Sequence, residues 1–131
     1  MINEKILEIL YQLGFQPELV DENFGYRFEY EGLTILYTPE DEDAHTVCFM
    51  IPGIFDISDD NRVAVLEAMV KLAGRMKFVQ PVIMSDSVWL NYQHFLSSQE
   101  PTPEVLEHMI RVLAVSTIQF HKFINNEGND E

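Results

Sequence analysis

Phe24-Gly25-Tyr26-Arg27-Phe28-Glu29-Tyr30-Glu31-Gly32-Leu33-Thr34-Ile35-Leu36-Tyr37 (residues 24–37) reads as two strands and the turn that joins them. Phe24, Tyr26, Phe28 and Tyr30 alternate with Gly25, Arg27, Glu29 and Glu31, the period of a strand with one buried face. Glu31-Gly32 turns the chain into a second strand, with Leu33, Ile35 and Tyr37 on one face and Thr34 and Thr38 on the other. The acidic loop Pro39 to Ala44 leads to a third strand. Its stretch Val47-Cys48-Phe49-Met50-Ile51 is apolar on both faces, which predicts a central place in the sheet.

Helical rhythm frames this β segment. Before it, Ile2, Ile6, Ile9, Leu10 and Leu13 recur along one helix face, with Asn3 as the predicted cap and Gly14 as the stop. Residues 15–23, which include Pro17, read as a connector. After the third strand, Ser58-Asp59-Asp60-Asn61 offers capping oxygens to a second helix. Val63, Leu66, Met69, Val70, Ala73 and Met76 form its predicted buried stripe, with Glu67 and Lys71 paired outside. Val79 to Met84 and Ser87 to Leu96 then form a hairpin turning at Ser85-Asp86, and Pro81 places the first of these strands at an edge. The last helix starts at the cap Thr102, with Pro103 first and Glu104 at the positive helix end. Val105, Leu106, Met109, Val112, Leu113, Phe120, Phe123 and Ile124 make its stripe. The predicted fold is α+β, in the order α-β-β-β-α-β-β-α. It has an antiparallel sheet of about five strands and helices mainly on one face. Residues 1–124 make a single domain and 125–131 a flexible acidic tail.

The chain has 131 residues, 47% apolar and 23% charged, enough for one domain with one core. Neither a signal leader nor an apolar run of membrane-spanning length is evident, so the expected location is cytoplasmic. Cys48, the single cysteine, fits a reducing compartment. The net charge is −14, and residues 1–60 account for −12 of it, with 14 acidic residues against Lys5 and Arg27. That field repels phosphate backbones and anionic lipid, so neither nucleic acid nor membrane is expected as a partner.

Chemical motifs are weak. Asp56, Ser58, Asp60 and Glu67 match positions 1, 3, 5 and 12 of a calcium loop, but Asn61 replaces the turn glycine and a strand precedes the motif where a helix should stand. Capping of the second helix accounts for the same oxygens. His45 and Cys48 point to opposite faces of a strand, and Glu104 and His108 lack the second histidine of a metalloprotease helix. His94 and His121 have no sequence-adjacent partner. Glu40-Asp41-Glu42-Asp43 reads as a solvated loop, and neither a nucleophile elbow nor a glycine-rich phosphate loop occurs. We expect no catalytic residue, cofactor or metal.

Surplus apolar residues are more informative. Val115 and Ile118 fall among Glu104, Glu107, Arg111 and Lys122, opposite the main stripe of the last helix. Leu36, Cys48, Met50 and Trp89 project away from the sheet face that bears Ile35, Phe49 and Leu90. Val115, Ile118, Trp89, Leu36 and Met50 are therefore the predicted partner-binding residues, to be covered by a protein client or by a second copy in a homodimer.

The order of elements over residues 2–124 resembles the YbjN-like family, which is similar in fold to the class I chaperones of bacterial type III secretion. The strand Val88-Trp89-Leu90-Asn91-Tyr92, leading through a short acidic, proline-containing link into Thr102-Pro103-Glu104, carries the resemblance most clearly. The resemblance implies a small acidic protein, dimerisation and client holding as in the secretion chaperones, or a sensory or regulatory role. It supplies no catalytic motif. The expected function is a noncatalytic protein-binding module, chaperone-like or regulatory. The alternative is a small-ligand sensor or enzyme with a pocket between sheet and helices.

Overall fold

The computed structural model describes residues 2–22, 25–41, 45–97 and 100–125. Its elements are α1 (Ile2–Gln12), β1 (Glu18–Asp21), β2 (Gly25–Tyr30), β3 (Leu33–Tyr37), β4 (Thr46–Asp56), α2 (Arg62–Arg75), β5 (Val79–Met84), β6 (Ser87–Phe95) and α3 (Pro103–Ile124). The six strands form one antiparallel sheet in the order β1-β2-β3-β4-β6-β5. The α+β class and the antiparallel sheet agree with the sequence reading, with one strand added. The segment read as a connector contains β1, whose four residues are all exposed. A strand with no buried face has no alternation to betray it. Phe24 and the acidic residues Glu42 and Asp43 lie outside the described residues, as does 126–131 of the expected tail.

Both hairpin turns stand where the sequence put them. Glu31 and Gly32 have φ of 50° and 83°, and Ser85 and Asp86 have 52° and 61°. Two consecutive left-handed residues give the turn a twist that matches its flanking strands. β4 is central and β5 is an edge, as expected.

All three helices cover one sheet face. The core joins Ile6, Ile9 and Leu10 of α1, Val65 and Leu72 of α2, and Leu106, Met109 and Leu113 of α3 to Phe28, Ile35, Phe49 and Leu90 of the sheet. Leu36 and Cys48 are buried too, but they stand apart from this cluster. Tyr37 fixes α1 to the sheet: its hydroxyl donates to Asn3 Oδ1 (2.5 Å), while Asn3 Nδ2 donates to Glu40 O (3.1 Å). Asn3 thus ties helix to strand and does not act as the predicted cap. Gly14 ends α1 as expected, at φ 98°, with Phe15 N donating to Leu10 O.

α3 lies in the middle of the helix layer and buries more than its predicted stripe. Ile110, Ala114, Ser116 and Thr117 are also buried. The two hydroxyls satisfy themselves by donating to Val112 O (2.7 Å) and Leu113 O (3.1 Å) one turn back. Thr102 caps α3 as predicted, accepting from Val105 N at 3.2 Å. A bulge interrupts β4 beside this helix, since the five residues from Ile51 to Phe55 oppose only the three from Leu90 to Val88 of β6. His121 holds the bulge by donating from Nε2 to Ile54 O (2.9 Å), and its ring and that of Phe120 pack on Phe55.

α2 corrects the sequence reading most. Its buried residues are Val65, Ala68 and Leu72, while Val63, Leu66, Val70 and Ala73 of the predicted stripe are exposed. Apolar residues occupy two sides of this helix, and the side carrying the small Ala68 turns inward, where α2 packs on α3. The expected cap also changes. Asn61 makes no side-chain bond to the helix; its Oδ1 accepts from Ser58 N (2.8 Å) and its Nδ2 donates to Asp56 O (3.0 Å).

Two predictions follow from this packing. Ala68→Leu overpacks the α2–α3 contact and lowers unfolding free energy by about 1–3 kcal/mol, whereas Val70→Ser changes it by less than about 0.5 kcal/mol, measured by urea titration. Gly25 has φ 80°, and a Cβ there would strike Tyr37 O and lie 2.6 Å from Pro39 Cδ. Gly25→Ala therefore costs more than about 2 kcal/mol by the same titration, with Gly14→Ala, where nothing lies near, costing less.

Candidate functional site

The residues singled out from sequence divide between two sides of the molecule. Val115 and Ile118 are exposed on the outer side of α3. Leu36, Met50 and Trp89 share the sheet face away from the helices, where Leu36 opposes Met50 and Met50 opposes Asn91. On that face Leu36 is only 6% exposed, while Met50 and Trp89 are half-buried. Trp89 Nε1 donates to Ser87 Oγ (3.1 Å). The five positions therefore do not form one surface.

Polar groups organise the middle of the open face. Cys48 Sγ donates to Asn91 Oδ1 (3.1 Å), and Asn91 Nδ2 donates to Gln80 Oε1 (3.5 Å), linking β4, β6 and β5. Burial pushes the Cys48 thiol up to about 12, with the negative charge of Glu40 adding to the effect. A thiol so raised is a poor nucleophile at neutral pH.

A larger apolar surface lies on the helix side, where the sequence reading expected core. Val63 is 70% exposed, Leu66 43%, Val70 73% and Phe78 70%. Beside Leu66, Val70 and Phe78 lies a groove of about 650 Å³, bounded by Leu66, Met69, Val70 and Ala73 of α2, by Phe78 and Pro81, and by the polar side chains of Lys77, Gln80, Asn91 and Gln93. The ring of Phe78 stacks on Tyr92 at 6.1 Å, so one aromatic face is held against the sheet. Two sequence signals mark this surface. Apolar residues at 63, 65, 66, 68, 69, 70, 72, 73 and 76 exceed what one buried stripe uses. Four of the eight basic residues of the chain, Arg62, Lys71, Arg75 and Lys77, fall within residues 62–77.

The histidines gain neighbours that spacing did not show. His94, Glu104 and His108 line a hollow of about 190 Å³ with Tyr92 and Met109. Among the described residues no group of three or more His, Cys, Asp or Glu side chains is placed to hold a metal ion. Asp56 of the calcium-like pattern ends strand β4, so a strand does stand where an EF-hand needs a helix. Among the described residues no helix is long and apolar enough to cross a membrane.

A six-stranded antiparallel sheet with three helices on one face, in this connection order, defines the YbjN-like fold. The crystal structure of YbjN from E. coli, a candidate transcription regulator, matches with a TM-score of 0.65 at 11% identity, over 95% of this chain and 93% of that one. An uncharacterized protein from Methanothermobacter thermautotrophicus matches with a TM-score of 0.63 at 15% identity, over 98% of this chain and 100% of that one. At these identities the likeness is one of fold. No protein-family model and no curated protein matches the chain.

The Cys48 geometry predicts slow chemistry. Moving the thiol from 9.0 to about 12 leaves roughly a thousandfold less thiolate at pH 8. Iodoacetamide should label Cys48 at least about a hundredfold more slowly in the native protein than in 8 M urea, followed by intact mass. Because the folded thiol holds its proton more tightly, the associated stability is present below pH 9 and is lost as pH rises toward 12.

Proposed function

We propose that this protein is a noncatalytic protein-binding module with a regulatory or chaperone-like role. The observation that carries the reading is the apolar strip of Val63, Leu66, Val70 and Phe78, which the fold leaves uncovered beside a groove. Large contiguous apolar surface is costly to leave in water, and its usual use is contact with another macromolecule. Val115 and Ile118 on α3 add a second, smaller patch.

The chemistry elsewhere supports binding over catalysis. Ile6, Leu10, Phe49, Leu90 and Leu113 are fully buried between sheet and helices, so that interface is packed core at these positions. The carboxamide of Asn91 accepts from Cys48 and donates to Gln80, so these polar groups are engaged within the sheet. With a net charge of −14, a regulatory role of the kind suggested for E. coli YbjN would run here through protein contacts, not through DNA. A homodimer through α3 is one form of such contact.

Photo-crosslinking in the source cells tests the reading. Val70→benzoylphenylalanine and Val115→benzoylphenylalanine should each be compared with Glu29→benzoylphenylalanine on the exposed sheet face. Polypeptide adducts at position 70 or 115, and none at position 29, are the expected result. An adduct of twice the chain mass at position 115 would identify the α3 homodimer. Absence of adducts at both helix positions would overturn the function.

A further inference from the structure

We infer that the apolar strip of α2 is the docking face for a second copy of this chain, set antiparallel to the first across a two-fold axis level with residues 68 and 69. This rests on the protein-binding reading and names the partner for that surface.

The spacing of the strip suits a helix. Val63, Leu66, Val70 and Ala73 follow one another at steps of three, four and three, and all four are exposed. Val65, Ala68 and Leu72, which hold α2 to the rest of the chain, lie on nearly the opposite side. Steps of three and four make the seam along which two helices pack. Leu66 and Val70, one turn apart, also border a hollow on either side. One is the groove of about 650 Å³ with Met69, Ala73 and Phe78, and the other, of about 540 Å³, is edged by Glu67 and Lys71. A ridge between two hollows is complemented by its own shape, each ridge seating in the other copy's hollow.

Charge favours a like helix and fixes its direction. The two-fold sets Leu66 opposite the partner's Val70 and Val63 opposite the partner's Ala73. The same rotation brings Glu67 level with the partner's Lys71, and Lys71 level with the partner's Glu67, on one flank of the seam. Both opposite charges are thus answered by the second copy, and by the same operation that matches the apolar residues. A parallel pair would put these side chains on opposite flanks, out of reach. Residues 62–85 hold only Glu67 of the 22 acidic residues in the chain, so two acidic molecules meet here where carboxylates are sparsest. Repulsion between their remaining charges is screened beyond about 8 Å at physiological ionic strength.

Sedimentation velocity of the full chain tests the docking, and a dimer is expected. Val70→Asp should give a monomer with circular dichroism and melting temperature retained, since Val70 is 73% exposed. Glu67→Lys alone and Lys71→Glu alone should each weaken self-association at least about tenfold. An equimolar mixture of these two variants should recover the dimer, because each chain then offers the charge the other lacks. The pair within each helix stays broken in that mixture, so recovery reads contact between chains and not helix stability. A wild-type chain that remains monomeric, or a mixture no better than its components, overturns the second copy. Adducts to other polypeptides at position 70 would then leave the protein-binding reading standing. A dimer that Val115→Asp disperses and Val70→Asp does not would place the second copy on α3 and likewise overturn the inference.

Discussion

Burial of α3 against the β4–β6 pair is the constraint on which the rest of the molecule depends. β6 runs beside both β4 and β5, and α3 packs on all three strands. The helix presents too wide an apolar sector for the sheet alone to cover. Ile110, Ala114, Ser116 and Thr117 reach beyond the sheet-facing stripe and are buried nonetheless. α1 and α2 supply that cover from the two sides. The β4 bulge is part of the same solution, because it brings Phe55 and the Ile54 carbonyl to Phe120 and His121. An interior packed this closely leaves little freedom to rotate a helix about its axis.

That restriction explains the exposed side of α2. Close approach to α3 favours the side with Ala68, flanked by Val65 and Leu72, and the bulkier Val63, Leu66 and Val70 are then turned outward. No further described helix stands beyond α2 to cover them. The apolar strip is therefore a consequence of how the core is completed.

Most of the fold was legible because its strands and turns use local signals. Alternation marked β2 and β3, a two-sided apolar run marked β4 as central, and Thr102-Pro103 marked the start of α3. β1 was invisible because none of its four residues is buried. The face of α2 was ambiguous for a different reason: two apolar sides satisfy helical period equally, and only the distance to α3 separates them. Asn3 and Asn61 looked like caps because their side chains can bond backbone locally, yet each found a partner outside its own helix. Val115 and Ile118 are exposed, and Val63, Leu66 and Val70 expose a further apolar surface on α2 that the predicted stripe had assigned to the core. Leu36 illustrates the converse, since it is buried although it stands apart from the core cluster that the helices cover.

The sheet never closes, so it has two rims whose backbone groups could pair with another chain. Their protection is chemically unequal. On β5 the ring of Pro81 removes a backbone donor at any pH. On β1 the exposed acidic side chains of Glu18 and Asp21 discourage a like-charged strand but leave every backbone donor in place. Strand-to-strand association should therefore begin at β1 and spare β5, giving pairs joined β1 to β1 in place of open-ended stacks.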